Sequence, residues 1–217
     1  MKSKICMKFR RVAAGNSGPY SPRYIFLWTG PMAHIGTGVE YALHCLLWLV
    51  PPLEQRPSSR DLAELQGVPA AFMAKIFPKL EKAGIVESTG GIRGGYQLAR
   101  APEDISVLDV VDAVEGQKAL FDCQEIRGRC ALFDGSPPRW ANRGVCGIHA
   151  VMFNAQKAMR EELARSSLAS IAEGVQGKGR PASFAGDVQE WFADRQVARD
   201  EARITGMRSR AAAQDDD

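Results

Sequence analysis

Long apolar runs are missing from this chain: no stretch of 18 apolar residues occurs in its 217 positions, so no helix is available to cross a bilayer. Cysteine is scarce. Its five residues are too few, and odd in number, to staple a chain of this length through disulfides. Histidine is scarcer still, and none of His34, His44 and His149 stands beside an evident nucleophile. A glycine-rich phosphate loop, a nucleophile elbow and an HExxH motif are all lacking, which removes the commonest enzyme signatures. The basic start is not followed by a clean apolar stretch and a small-residue cleavage site, so a reducing cytoplasm is the expected compartment.

What is present is an ordinary globular composition, 45% apolar and 24% charged, with a net charge of +3. The charge is unevenly spread. Residues 1–31 hold six basic residues and no acidic one, residues 58–100 six basic and four acidic, and residues 101–173 eight basic and eleven acidic. Positive potential therefore gathers in the N-terminal half.

Residues 1–31, broken by Gly15, Gly18, Pro19, Pro22 and Pro31, are expected to be a disordered extension. From Val39 to Val50 the apolar positions recur at three and four, an amphipathic helix ended by Pro51 and Pro52. Ser58 and Asp61 have capping-box spacing and open a short helix that Gly67 closes. A further helix over about 70–83 carries Phe72, Met73, Ile76, Phe77 and Leu80 on one face, with Pro78 expected to kink or divide it. Ile85 to Thr89 and Tyr96 to Leu98 read as two strands around a glycine-rich tip, and Ser106 with Asp109 opens a helix to Glu115. After an aperiodic loop over 121–146, Ile148, Val151, Met152, Ala155, Met159 and Leu163 mark a long helix. Beyond Gly174 a flexible tail is expected, with at most a transient helix near Gln189 to Ala202.

Helix, tight turn, longer helix and glycine-tipped hairpin follow in the order of a winged helix-turn-helix. The predicted fold class is mainly α with a small β-wing, over 32–116. Such a module lays its second helix in a major groove, while helix N-termini and wing cations meet phosphates. Ala71, Ala74, Lys75 and Lys79 lie opposite the apolar face, where small residues permit close approach and the lysines reach phosphate or guanine. Arg93, among Gly91, Gly94 and Gly95, is suited to the minor groove. The candidate DNA-contacting set is Ser59, Ala71, Phe72, Lys75, Lys79, Arg93 and Tyr96.

The loop over 117–147 contributes a second kind of chemistry. Cys123, Cys130 and Cys146 cluster within it, and thiolates are soft ligands for iron–sulfur clusters, copper(I) and zinc. With His149 they form a potential three-sulfur, one-nitrogen zinc set. Without a metal they form a thiol switch, activated by Arg127, Arg129, Arg139 and Arg143. Cys45 sits at a packed helix position, and Cys6 belongs to the extension.

The runs GVEYALHCLLWL, DLAELQGVPAAFMAKIFPKLEKAGIVESTGGIRGGYQLAR and ISVLDVVDAVEG, ending at SLASIAEG, resemble the iron–sulfur winged-helix transcription regulators that include IscR, NsrR and RsrR. The likeness covers residues 38–174. It implies a homodimer joined through the long helix, assigned to 148–173, on a palindromic double-stranded DNA operator. It also implies an iron–sulfur cluster on Cys123, Cys130 and Cys146, with Glu40 of the partner subunit as the possible fourth ligand and His149 and His44 as rivals. A carboxylate ligand favours 2Fe–2S over 4Fe–4S. The expected function is thus a repressor whose operator affinity follows redox state, nitric oxide or iron–sulfur status. The alternatives are a zinc or metal-free thiol-switch regulator on the same fold, and less favourably an electron carrier. The cysteine gaps, six residues and then fifteen, are wider at the second than in the commonest members. The extension and the 174–217 tail have no counterpart in the shared core.

Overall fold

The computed structural model describes residues 35–91, 94–176, 179 and 181–215. The expected disordered extension over 1–31 lies outside them, as does Arg93. In chain order the elements are α1 (Thr37–Leu47), α2 (Ser59–Gln66), α3 (Ala70–Lys82), β1 (Val86–Ser88), β2 (Tyr96–Leu98), α4 (Val107–Glu115), α5 (Gly147–Arg165), α6 (Leu168–Gln176) and α7 (Phe184–Asp215). Short 3-10 turns lie at Pro102–Asp104, Ile126–Arg129 and Ala131–Phe133. This is a winged helix-turn-helix with further helices, mainly α as expected. Among the described residues no helix is long and apolar enough to cross a membrane.

Local signals set most of these boundaries. Ser58 Oγ accepts from Asp61 N at 3.2 Å while Asp61 Oδ2 accepts from Ser58 N at 2.8 Å, closing the box that starts α2. Ser106 and Asp109 repeat the arrangement at α4, at 3.1 and 2.9 Å. Gly67, at φ +73°, supplies the left-handed turn between α2 and α3. The core is built from Val39, Ala42, Cys45 and Leu46 of α1, Leu62 and Ala63 of α2, Met73, Ile76, Phe77 and Leu80 of α3, and Val110 of α4. Removing this apolar surface from water is the main force holding the helices together.

Pro78 neither ends nor divides α3, contrary to expectation. Its ring stands exposed, while Met73, Ile76, Phe77 and Leu80, on both sides of it, are buried in one core, and that packing carries the helix through.

The segment expected as one helix over 148–173 is two. The chain leaves α5 at Ser166, pairs with the start of α4 through Val107 N to Ser166 O at 2.8 Å and Leu168 N to Ile105 O at 2.9 Å, and re-enters helix at α6. Ser167 and Ser170 hydrogen-bond each other reciprocally and start the new turn.

The expected flexible tail is also replaced by structure. The 32-residue α7 buries Val188 and Phe192 in the same core, and Phe184 lies 6.1 Å from Trp48. Gln189 ties the helix to the loop after α1 by donating to Pro52 O at 2.9 Å and accepting from Glu54 N at 3.3 Å. Further along, Arg195 pairs with Glu64, and Arg199 pairs with Asp61 and donates to Ser58 Oγ at 3.0 Å. Burial and desolvation lower the Arg199 pKa from its ordinary value.

Candidate DNA interface and cysteine loop

The face of α3 turned away from the core exposes Ala71, Ala74 and Lys75. These are two short side chains that admit a close surface and one cation free of any described ion-pair partner. Ser59 is half-buried in the first turn of α2, beside the Ser58 cap. The other expected contacts are engaged within the fold. Lys79 Nζ donates to Val114 O at 2.7 Å, binding α3 to the carbonyl end of α4 instead of standing free. Phe72 is 42% exposed, but its ring lies edge-on to Tyr41 at 5.8 Å and against Gly38, bridging α3 to α1. Tyr96 is half-buried with its ring 4.6 Å from Phe77, and burial, then the Glu81 charge, raises its pKa. It anchors the wing to the core.

The wing pairs Val86 with Leu98, Glu87 with Gln97 and Ser88 with Tyr96 in antiparallel register. Its base is seated on the loop before α2, where Tyr96 N donates to Pro57 O at 2.9 Å. Only glycine fits beside that seat, because a Cβ on Gly95 would lie 2.1 Å from Arg56 O.

In the cysteine loop, Cys123 and Cys146 are half-buried and Cys130 is exposed; all three thiols are free. Among the described residues no three His, Cys, Asp or Glu side chains come close enough to hold a metal ion. Cys123, Cys130 and Cys146 are therefore not gathered into one ligand set, and Glu40 stands exposed on α1. The loop is fastened by its own side chains. Arg127 forks onto Glu125 at 2.6 and 2.8 Å and donates onward to Gly144 O at 3.0 Å and Arg143 O at 3.4 Å. Its charge acts on both Cys146 and Cys123, while Cys130 is taken away by the second 3-10 turn, whose Phe133 N donates to Cys130 O at 3.0 Å. Arg127 holds the Glu125 carboxyl below its usual range.

Three residues after Cys146, His149 stacks with Phe153 and faces Phe121, and its Nδ1 is buried without a hydrogen-bond partner. An orphaned buried nitrogen is costly, and a bound ligand is one way to satisfy it. Cys45 is the contrasting thiol. Fully buried, its Sγ donating to Leu62 O at 3.7 Å, it is pushed up to about 12 by desolvation and is inert.

Along α5, Ile148 and Val151 are 65 and 66% exposed and Met152, on the same face, 38%, an apolar face that none of the described residues covers. The opposite side of α5 is tied to α4, where Arg160 grips Asp112 through two bonds of 2.8 Å. At the loop's entry Leu120 N donates to Gln156 Oε1 at 2.7 Å. Sequence reading missed the Glu125 and Asp112 contacts and the α7 contacts to α2. Glu125 and Arg127 are only two positions apart, but spacing could not have found the others, which are separated by 48 to 141 positions.

Residues 35–174 match a family described as Rrf2, iron-dependent transcriptional regulator. The protein rrf2 of Nitratidesulfovibrio vulgaris strain Hildenborough is 39% identical over 118 residues, covering 54% of this chain and 72% of that protein. Among solved structures, CymR (YrzC), the global cysteine regulator of B. subtilis, superposes with a TM-score of 0.51 at 21% identity, over 65% of this chain and 98% of that one. T. potens IscR superposes with the same TM-score at 22% identity, over 70% and 96%. At these identities the two structures speak for the shared fold.

Proposed function

The chain belongs to the Rrf2 family of transcriptional regulators, and from that premise we propose that it is a repressor that grips a palindromic operator as a homodimer, with an iron–sulfur cluster in the cysteine loop setting the strength of the grip. The family places it among DNA-binding regulators, not enzymes. On the DNA side, the reading rests on the exposed Ala71, Ala74 and Lys75 of α3 flanked by the seated wing. Lys75 would meet phosphate or guanine, and Ser59 the backbone at the start of α2.

The observation that carries the cluster reading is the donor set itself, three free thiols and the unpartnered Nδ1 of His149. Soft sulfur with one imidazole suits an iron–sulfur centre and does not suit a hard cation. Cys123, Cys130 and Cys146 would hold it, and the orphaned nitrogen favours His149 over Glu40 of the partner subunit for the fourth position. A bound iron–sulfur centre would supply one-electron redox chemistry and a bond open to nitric oxide. The exposure of Cys130, apart from the other two, favours a metal-free thiol switch as the second reading.

Residues of this chain link that loop to the recognition helix. Leu120 is bound to Gln156 on α5, Arg160 on α5 grips Asp112 on α4, and Val114 on α4 accepts from Lys79 on α3. A rearrangement that turns α5 therefore bears on α3 through contiguous bonds. In a dimer joined through the apolar face of α5, the same turn shifts the spacing of two recognition helices that must sit about 34–36 Å apart.

Two measurements test the reading. Oxygen-free protein should be coloured, with stoichiometric iron and sulfide, and gel shifts on its own promoter should change on oxidation or nitric oxide. Colourless, iron-free protein that still binds DNA would leave the thiol switch; equal affinity in every state would remove sensing altogether.

A further inference from the structure

The two arms of the cysteine loop are drawn together at one side chain. Arg127 sits in the first arm, within the Ile126–Arg129 turn, and its guanidinium reaches Arg143 O and Gly144 O in the second, immediately before Cys146. The other edge of the same fork is filled by Glu125, which is held in a left-handed conformation at φ +45° that a non-glycine residue adopts only when its surroundings impose it. The arms touch again beside the fork, where a Cβ on Gly128 would lie 2.9 Å from the Asn142 side chain. Cys123 and Cys146 both lie within electrostatic reach of this cation.

We propose that Arg127 is the positioning residue of the cysteine site: its fork clasps the arms bearing Cys123 and Cys146, and its fixed positive charge offsets the negative charge that a thiolate-ligated centre gathers there. The inference rests on the reading of the loop as a cluster site and deepens it, since it names what holds the ligands apart from the ligands themselves. Guanidinium is suited to both parts. It carries a permanent charge and donates in a plane to a carboxylate and a carbonyl at once, whereas an ammonium keeps the charge without the fork. A cation beside an anionic cluster stabilises the more negative, reduced state, so it raises the potential.

The two contributions separate in a pair of variants of the full chain, Arg127→Ala and Arg127→Lys, purified without oxygen. Hydrogen exchange over 121–146 in metal-free protein reads the clasp alone and should quicken in both. Iron release to a chelator should quicken in both by roughly tenfold, the scale seen when groups supporting metal ligands are removed. The midpoint potential should fall in the alanine protein and stay near the parent's in the lysine protein. Exchange, iron release and potential all unchanged in Arg127→Ala would overturn the proposal. If the parent chain itself holds no iron, the cluster reading fails, and the exchange rates alone decide the clasp: quickened, it stands; unchanged, it falls.

Discussion

Lys79 Nζ lies 2.7 Å from the carbonyl oxygen of Val114, so a cation that the winged-helix pattern assigned to DNA instead closes the C-terminal end of α4. Lys75, one turn earlier on α3, is exposed and free of such a bond. The two lysines should therefore separate in titrations. Lys75→Ala should weaken binding about evenly across operator sequences and lower the salt slope by about one. Lys79→Ala should leave the salt slope alone and lower the stability of the fold, on the order of 1 kcal/mol for a half-buried charged hydrogen bond. A reduced salt slope in the Lys79 variant would return that residue to the DNA.

The difference between these lysines illustrates what was legible in the sequence. Apolar spacing within α1 to α4, the boxes at Ser58 and Ser106, and the glycines of the wing act over a few residues, and each appears where the pattern placed it. Lys79 and Val114 are 35 positions apart, and Arg199 and Ser58 are 141 apart. No local period encodes such pairs. Pro78 misled for a related reason: its cost is local, while the burial of Met73, Ile76, Phe77 and Leu80 that outweighs it is tertiary. The cysteine loop combines both cases. Its three thiols are plain in the sequence, but the Glu125–Arg127 fork that ties the loop's two arms depends on backbone carbonyls of residues 143 and 144.

Helix α7 makes the sharpest break with the sequence reading, and its burial is measurable. Phe192 is 3% exposed and Val197, little more than a turn later, 56%. Phe192→Ala should cost about 3–5 kcal/mol in urea unfolding, the usual range for emptying a buried aromatic site. Val197→Ala should change stability by less than about 0.5 kcal/mol. Equal and negligible effects at both positions would restore the flexible tail.

Cys45 predicts a loss of stability in alkali. Its thiol is pushed up to about 12 in the fold from an ordinary 9.0, so the protonated form is favoured by folding. Below pH 9 both states are protonated and the stabilisation is fully present. Between about 9 and 12 the unfolded chain ionises while the folded one does not, and stability falls by roughly 1.4 kcal/mol per unit of pH. Cys45→Ala should remove that component of the slope, leaving whatever lysines and tyrosines contribute. An identical slope in the variant would show that Cys45 ionises as readily in the fold as outside it. The same burial makes Cys45 the slowest of the described cysteines to alkylate, after Cys123, Cys130 and Cys146.

The apolar face of α5 bears on how the whole assembly meets DNA. Ile148 and Val151 lie one turn apart on one face, each more than half exposed, and the reverse side of the helix is committed to α4 through Arg160 and Asp112. A helix held firmly on one side and bare on the other is what a two-fold contact between copies requires. Val151→Glu places a charge at the centre of that contact, where it would be buried without a partner. Light scattering should report a dimer for the parent chain and a monomer for this variant. A palindromic operator should bind roughly a hundredfold more weakly, because the second half-site no longer benefits from the tether of the first. Trp140→Glu, a comparable change at a residue 71% exposed in the cysteine loop, should leave the mass untouched. If the Val151 variant keeps the parent's mass and operator affinity, the copies meet elsewhere, and the route from loop to recognition helix through α5 loses its second half.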